Sequence, residues 1–248
     1  MIRSLVFAAM LAGCDYAFGL RGHPRDVPDA GPDAPAGHDE DHDGLIDPVD
    51  PCPADPGGGD ADTDQVGDLC DPSDTTTEEL VLFEPFVVAS TTWVGNVPWR
   101  FESDSITNTS ASLSESQISR TIAPVSYATV EATFNATLST GARIGVGFNV
   151  AGIEIKCFLG VNGLGTPVLF VLDGQSYEGE TAFAGKSPVH LSLTELPGHT
   201  FRCRGRNDGE TPVDFAYGRV LGAAVERLSL HALATDVEVT SVVLWRTK

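Results

Sequence analysis

Most of the chain after residue 80 alternates between apolar and polar side chains. Residues 127–138 place Ala, Val, Phe and Leu at every second position between Thr, Glu and Asn, and residues 143–150 repeat the pattern with Gly and Asn. A period of two predicts antiparallel strands with one face toward a core and the other toward water. Further segments of this kind are residues 153–159, 189–193, 201–206, 215–217, 228–230 and 237–244.

The turn residues between these segments agree with the strand prediction. Asp173-Gly174 and Asn207-Asp208-Gly209 are typical of β-hairpins. No segment beyond the N-terminal apolar stretch shows the periodicity of a helix. Residues 80–248 are numerous enough to enclose one core, so the pattern predicts an all-β domain in which two antiparallel sheets form a sandwich.

Both ends of this region resemble concanavalin A-like jelly rolls, including LamG domains. Residues 83–86 (Phe-Glu-Pro-Phe), Trp93 and residues 99–101 (Trp-Arg-Phe) are similar to the first strands of that family. Residues 237–245 are similar to its last strand, which returns beside the first. The resemblance implies a jelly-roll fold, which hosts sugar-binding modules, glycoside hydrolases and adhesion domains.

Residues 39–71 depart from the strand pattern, because an acidic residue occupies nearly every second position. Counted from Asp39, carboxylates fall at positions 1, 3, 5, 9 and 12 of a twelve-residue loop, with glycine at position 6. Counted from Asp60, the same positions recur, with Gln65 in place of the glycine. This is the ligand spacing of a calcium loop, in which position 7 supplies a backbone carbonyl. The candidate ligands are Asp39, Asp41, Asp43, Leu45, Asp47 and Asp50, followed by Asp60, Asp62, Asp64, Val66, Asp68 and Asp71.

The flanking prolines and glycines exclude the paired helices of an EF-hand. The segment instead resembles thrombospondin type 3 repeats: residues 39–53 match D-x-D-x-D-G-x-x-D-x-x-D-x-C-P throughout, and residues 60–71 match D-x-D-x-D-G-x-G-D-x-C-D except at Gln65. The resemblance implies an irregular chain wrapped around calcium ions and stapled by disulfides. Dissociation constants on the order of 10⁻⁴ to 10⁻³ M are expected, as for other extracellular calcium modules. The alternative is a solvated acidic linker that binds cations only loosely.

The N-terminus carries signals for export. A basic start at residues 1–3 precedes an apolar stretch at residues 5–11, which is too short to span a bilayer as a helix. Leu11-Ala12-Gly13-Cys14 resembles a bacterial lipobox, which implies that Cys14 carries lipid. The predicted location is the bacterial cell envelope, at the periplasmic face or the cell surface. The alternative is an ordinary cleaved signal peptide in which Cys14 is incidental.

The cysteine count agrees with lipidation. Five cysteines are an odd number for an exported protein, and removing Cys14 leaves four for two bridges. Cys52 and Cys70 flank the second acidic loop and are expected to pair. Cys157 and Cys203 fall on the apolar faces of strands expected to be neighbours, where they either form a bridge or remain buried thiols.

Charge divides the chain unevenly. Of the 35 acidic residues, 19 lie in residues 15–79, where Arg21 and Arg25 are the only bases. With a formal charge of −20, the chain is not expected to bind nucleic acid. The predicted order is a signal peptide (1–14), a disordered proline-rich tether (15–38), calcium repeats (39–71), a linker (72–79) and the jelly roll (80–248). Separate cores are expected for the repeats and the jelly roll, so that the repeats serve as a calcium-stiffened spacer.

Catalytic motifs are weak. The paired acids of jelly-roll hydrolases, E-x-D-x-x-E, do not occur; residues 102–104 (Glu-Ser-Asp) come nearest and lack the third acid. The six histidines show no zinc spacing, and His190 and His231 are expected on polar strand faces.

Two sets of residues are candidates for ligand binding. Trp93 and Trp99 can stack on sugar rings or else belong to the core. Arg202, Arg204 and Arg206 share a strand face and can contact an anionic ligand or glycan, or else protect a solvated strand edge. The expected function is a lipid-anchored calcium-binding protein whose jelly roll binds a glycan or surface partner without catalysis. A glycan hydrolase or lyase with dispersed acids, and a purely structural envelope lipoprotein, remain open as alternatives.

Overall fold

The computed structural model describes residues 37–248 except 40, 42, 48–49, 51, 55–59, 65, 69, 72–75, 88–90, 96–98, 111–113, 175, 209 and 220. The signal peptide with Cys14, and the tether as far as residue 36, lie outside the described residues. The described part contains fifteen β-strands and no α-helix. None of its segments forms a helix of the length and apolar character needed to cross a membrane.

The strands follow one another with short connections. They are β1 (Glu78–Glu84), β2 (Trp93–Gly95), β3 (Trp99–Phe101), β4 (Ile106–Ser110), β5 (Ser116–Val125), β6 (Ala128–Ala136), β7 (Arg143–Val150), β8 (Ile153–Val161), β9 (Pro167–Asp173), β10 (Ser176–Ala182), β11 (Val189–Leu196), β12 (Thr200–Asn207), β13 (Val213–Tyr217), β14 (Val225–Leu233) and β15 (Thr235–Thr247).

Two antiparallel sheets form a sandwich. The eight-stranded sheet has the order β13-β12-β11-β6-β15-β4-β3, with β1 also paired to β15. The seven-stranded sheet has the order β10-β9-β8-β7-β14-β5-β2. The last strand lies beside the first, with Leu80 opposite Trp245. The prediction of an all-β, two-sheet jelly roll is confirmed.

The core lies between the sheets and contains the apolar positions of the alternating segments. Val130 and Phe134 of β6 and Val146 and Phe148 of β7 are fully buried there. Because side chains of a strand alternate between its two faces, these positions all point inward. The hairpin predicted at Asp173-Gly174 joins β9 to β10.

A disulfide between Cys157 and Cys203 crosses this core. The two residues were expected on neighbouring strands, and that placement is wrong: β8 belongs to the seven-stranded sheet and β12 to the eight-stranded sheet. Each cysteine does lie on the inward face of its strand. The bridge therefore links the two layers rather than two neighbours in one sheet.

The acidic segment packs against the sandwich, so the expectation of separate cores is also wrong. Val243 and Trp245 point outward from β15, away from the main core. They form one apolar cluster with the buried Cys52, Val66 and Cys70 of the acidic segment. Trp245 is only 1% exposed. Burying this apolar surface favours docking of the segment on the sheet over an extended spacer.

Candidate functional site

The first acidic loop is held by hydrogen bonds to its own carboxylates. The Gly44 N–H donates to Asp39 Oδ2 (3.0 Å), and the Asp43 N–H donates to Asp41 Oδ1 (3.0 Å). Gly44 has a φ of +97°, which favours glycine, so the turn expected at position 6 is present. Carboxylate oxygens of Asp39, Asp41 and Asp43 lie within 4.8 Å of one another. Three predicted ligands therefore converge.

The second acidic loop has a similar arrangement. The Asp64 N–H donates to Asp60 Oδ1 (3.0 Å), and the Val66 N–H donates to Asp64 Oδ1 (2.7 Å). Oxygens of Asp60, Asp62 and Asp64 lie within 4.8 Å of one another. Gln65, the departure from the repeat pattern, lies outside the described residues. The Cys52–Cys70 disulfide closes the segment around this loop.

Six predicted ligands lie outside these two groups: the carbonyl donors Leu45 and Val66, and the carboxylates Asp47, Asp50, Asp68 and Asp71. Asp47 Oδ2 is 2.7 Å from His38 Nδ1. Asp68 Oδ1 accepts a hydrogen bond from the Ala61 N–H (2.8 Å), and Asp50 Oδ1 accepts one from the Cys52 N–H (2.7 Å). These carboxylates fasten the ends of the loops in the structure as described.

A third acidic group includes a residue that the repeat pattern does not contain. Oxygens of Asp62, Asp71 and Glu78 lie within 4.8 Å of one another. Glu78 is the first residue of β1 and belongs to the sandwich. The acidic spacing ends at Asp71, and a glutamate at the start of a strand is unremarkable, so the sequence offered no signal for this contact.

Several carboxylate oxygens of the acidic segment and of Glu78 are buried without a hydrogen-bond partner: Asp39 Oδ1, Asp41 Oδ2, Asp50 Oδ2, Asp62 Oδ1 and Glu78 Oε2. A buried acceptor left unsatisfied costs about 1 to 3 kcal/mol, and more when charged. At an effective dielectric constant of about 20, two unit charges about 4.8 Å apart repel by about 3.5 kcal/mol. Burial first, and then the charges of Asp50 and its neighbours, raise the pKa of Asp41 to about 6, against a hydrogen bond from the Asp43 backbone. The all-oxygen donor set and irregular loops fit calcium, which would relieve both penalties.

The tryptophans do not form a sugar platform; of the two roles expected for them, the structure gives them the one in the core. Trp93 is 5% exposed, packs in the main core and donates its Nε1–H to Glu84 Oε2 (3.2 Å). Trp99 packs against the same core beside Phe101. Strand alternation turns both rings inward, where they stabilise the sandwich instead of facing a ligand.

The three arginines share the outer face of β12 as predicted, and ion pairs within the sheet engage Arg204 and Arg206. Arg204 Nε is 2.8 Å from Asp214 Oδ1. Arg206 is buried, and its Nη2 lies 3.2 Å from Glu131 Oε1. Burial, followed by the charge of Arg204, lowers the pKa of Arg202. The row does not present an open anion site.

The outer face of the seven-stranded sheet carries a buried ionic network that the sequence did not reveal. His231 is 0% exposed, and its Nδ1 lies 2.9 Å from Glu115 Oε1. Lys156 Nζ lies 3.2 Å from Glu115 and 3.5 Å from Glu154. Ser229 Oγ donates to Glu154 Oε1 (2.9 Å).

Both carboxylates of this network are held in the ionised form. Burial acts to raise the pKa of Glu154, but the hydrogen bond and charge of His231, with Lys156, outweigh it and lower the pKa to about 2. The same balance, with Arg143 added, puts the pKa of Glu115 well below its ordinary value. Each charge of the network has an opposite partner, so the network stabilises the fold rather than forming a site for a ligand.

Glycines of β7 explain why this polar face is closed. A Cβ on Gly145 would lie 2.4 Å from the ring of Phe158, and one on Gly147 would lie 3.1 Å from the Lys156 side chain. The neighbouring side chains therefore fold over the glycine positions and cover His231. His190 on the other sheet is buried similarly, with its Nε2 2.8 Å from Asp208 Oδ1.

An open cleft of about 810 Å³ lies on the eight-stranded sheet. Residues of β4, β6 and β15 and of the adjoining connections line it; nine of the twelve carry hydroxyl, amide or carboxylate groups, and Ala136, Ala234 and Val237 are apolar. The main polar residues are Thr107, Thr109, Asn135, Ser187, Asp236 and Glu238. Ser187 Oγ donates to Asn135 Oδ1 (3.0 Å), and Asn135 Nδ2 donates to Glu238 Oε2 (3.3 Å). The cleft and the docked acidic segment occupy opposite ends of β15, roughly 23 Å apart along the strand.

Solved structures share the sandwich. The Emp47p carbohydrate recognition domain is similar at 15% identity and a TM-score of 0.50, over 64% of this chain and 90% of that one. A mutant of the GH43 protein BlXynB from Bacillus licheniformis is similar at 9% identity and a TM-score of 0.51, over 67% of this chain and 39% of that one.

A bifunctional GH43-CE protein of Bacteroides eggerthii is similar at 13% identity and a TM-score of 0.51, over 66% of this chain and 26% of that one. At these identities the likeness shows the fold alone. The chain spans well under half of the two GH43 proteins. No protein-family model matches the chain, and no curated protein matches its sequence.

Proposed function

We propose that this chain is a lipid-anchored, exported, calcium-binding protein whose jelly roll binds a glycan without cleaving it. Calcium binding is the part that the geometry supports best. The observation that carries it is the set of buried carboxylate oxygens without hydrogen-bond partners in residues 39–78. Carboxylates in this position are stabilised by a divalent cation and destabilised without one.

Isothermal titration of the full chain with CaCl₂ tests the calcium proposal. We expect heat of binding with a dissociation constant on the order of 10⁻⁴ to 10⁻³ M. Asp41→Asn and Asp62→Asn should each weaken binding, since each removes a converging carboxylate. Glu226→Gln, an exposed change on β14, serves as the control. No heat and no spectral change on titration of the wild-type chain would refute calcium binding.

The polar cleft supports glycan binding. Sugar hydroxyls both donate and accept hydrogen bonds, and the carboxylates, amide and hydroxyls of this cleft complement them. Its volume lies within the range of small-ligand sites, about 300 to 1,000 Å³. The fold is shared with the Emp47p carbohydrate recognition domain, but the proposal depends on the lining of the cleft and not on that likeness.

A glycan array probed with the full chain tests this second part. We expect Asp236→Asn and Glu238→Gln to weaken binding about tenfold each, the usual effect of losing a hydrogen bond to a charged group. Glu226→Gln again serves as the control. Binding that persists in both cleft variants would exclude this cleft, and release of reducing ends from a bound polysaccharide would favour the hydrolase alternative.

The lipid anchor rests on residues 11–14 alone. We expect the wild-type protein in the membrane fraction of its bacterial host, labelled by radioactive palmitate. Cys14→Ser should lose the label and leave the membrane fraction. An unlabelled wild-type protein would contradict lipidation and favour a cleaved signal peptide.

A further inference from the structure

We propose that Glu78, at the start of the sandwich, is a ligand of a divalent cation that it shares with Asp62 and Asp71. One ion would then join the acidic segment directly to strand β1. The inference deepens the proposed function and rests on it, because Asp62 and Asp71 belong to the second predicted calcium loop.

The position of Glu78 is fixed from several sides. It is 1% exposed and lies opposite Thr247 at the start of the β1–β15 pair. Its Oε1 accepts hydrogen bonds from the hydroxyls of Thr76 (2.5 Å) and Thr247 (3.2 Å). Its backbone N–H donates to Asp64 Oδ2, so the second loop also holds the main chain. The carboxylate is thus oriented before any ion binds.

The second oxygen of Glu78 has no protein partner. Glu78 Oε2 is buried and accepts no hydrogen bond, and Asp62 Oδ1 is in the same state. Burying a glutamate beside two aspartates costs free energy when one of its oxygens has no partner. A cation bound to that oxygen would remove the cost. The free oxygen and the neighbouring carboxylates together indicate a ligand at this point.

The spacing of the three groups fits one ion. Two oxygens bound to the same calcium ion at about 2.4 Å lie no more than about 4.8 Å apart. Oxygens of Asp62, Asp71 and Glu78 all lie within 4.8 Å of one another.

Asp62 connects this ion to the second acidic loop. Its carboxylate belongs both to the group with Asp60 and Asp64 and to the group with Asp71 and Glu78. It can therefore bridge a loop ion and the Glu78 ion. Calcium binding by the second loop is therefore coupled to the attachment of that loop to β1.

Calcium titration of the full chain, wild type against Glu78→Gln, tests the role of Glu78. Gln keeps the size of the side chain and an oxygen for Thr76 and Thr247, but loses the charge. We expect one calcium equivalent fewer, or binding at one site at least tenfold weaker. The matched control is Glu79→Gln on the same strand, whose carboxylate is exposed and pairs with Arg246; it should bind as the wild type does.

The outcomes separate the two proposals. If the wild type binds calcium and Glu78→Gln binds the same number of ions with the same affinity, Glu78 is not a ligand and the calcium proposal stands. If the wild type takes up no calcium, both proposals fail. Should the Gln variant not fold, Glu78→Asp keeps the charge on a shorter side chain. In that variant a tenfold loss is expected, and wild-type affinity would overturn the inference.

Discussion

Removing calcium should lower the melting temperature of the jelly roll itself, not only loosen the acidic segment. The reason is the shared apolar cluster, in which Val66 of the segment is buried together with Val243 and Trp245 of β15. If the segment keeps its docked, metal-binding form only on a folded sheet, the free energy of calcium binding adds to that of unfolding. A segment with its own core would leave the transition of the sandwich unchanged.

The size of this effect follows from mass action. With dissociation constants of about 10⁻⁴ to 10⁻³ M, about 10 mM calcium stabilises the native state by roughly 1.4 to 2.7 kcal/mol per site. For a domain of this size, about 1 kcal/mol shifts the melting temperature by roughly 2 to 4 °C. The expected shift between calcium and chelator is therefore about 3 to 10 °C per site.

Far-UV circular dichroism melts of the full chain, in calcium and in chelator, measure this shift. Val243→Asp places a charge in the docking contact and should reduce both the shift and the heat of calcium binding. The matched control is Val94→Asp, the same change at a valine that is 69% exposed on β2, where the shift should survive. A wild-type protein that binds calcium but melts at the same temperature in chelator would refute the coupling.

Three further predictions concern the sandwich. Glu154 should contribute about 3 kcal/mol of stability, because its pKa is about 2 in the folded protein against 4.5 ordinarily; this contribution is complete above pH 4.5 and lost as the pH falls through 2. The free energy of unfolding, measured with urea across that pH range, should fall less steeply with decreasing pH in Glu154→Gln than in the wild type. An equal slope in the two proteins would contradict the ionic network. Replacing Cys157 and Cys203 together with alanine should cost about 4 kcal/mol, the loop-closure value for a separation of 46 residues. Reductant should then lower the unfolding midpoint less than it does in the wild type, because the Cys52–Cys70 bridge is what is left to be reduced. Gly145→Ala should destabilise the protein by about 1 to 3 kcal/mol, because its Cβ would lie 2.4 Å from the ring of Phe158. The control Gly163→Ala should be nearly neutral, because its Cβ would have no atom within 4 Å. Equal unfolding midpoints for the two variants would contradict the packing of this face.

Strands in which apolar residues alternate with polar residues or glycine were predictable, and strands with apolar side chains on both faces were not. The alternation in residues 143–150 matches β7. The run Pro-Val-Leu-Phe-Val-Leu-Asp of β9 has no alternation, because Leu169 and Val171 enter the main core while Val168 and Phe170 pack with Phe158 on the outer face. A strand covered on both sides loses the period of two.

The sequence of β15 also contains a weak indication that the acidic segment docks on it. Residues 242–245 of β15 are Val-Val-Leu-Trp, four apolar side chains in a row. Such a run indicates that both faces of this end of the strand are covered. The sequence did not say what covers the second face, since the partners, Cys52, Val66 and Cys70, lie more than 170 residues earlier.

The polar positions show the limit of periodicity most clearly. His231 lies on the outer face of its strand, as its position in the pattern predicts, yet it is fully buried. Alternation determines only which side of the sheet a residue occupies. Its exposure depends on neighbours from other strands, and here the glycines of β7 let the side chains of β8 fold over it.

The sequence by itself determined the strands with one wet face, the two acidic loops and the inward direction of the cysteines in the sandwich. These properties depend on residues within a few positions of one another, where side-chain period and ligand spacing are set by the local backbone. Only the tertiary structure decided that Cys157 and Cys203 join opposite sheets, that both tryptophans of the first strands turn into the core, and that Glu78 meets Asp62 and Asp71. Those contacts follow from burying apolar surface between segments far apart in the chain, which no local pattern records.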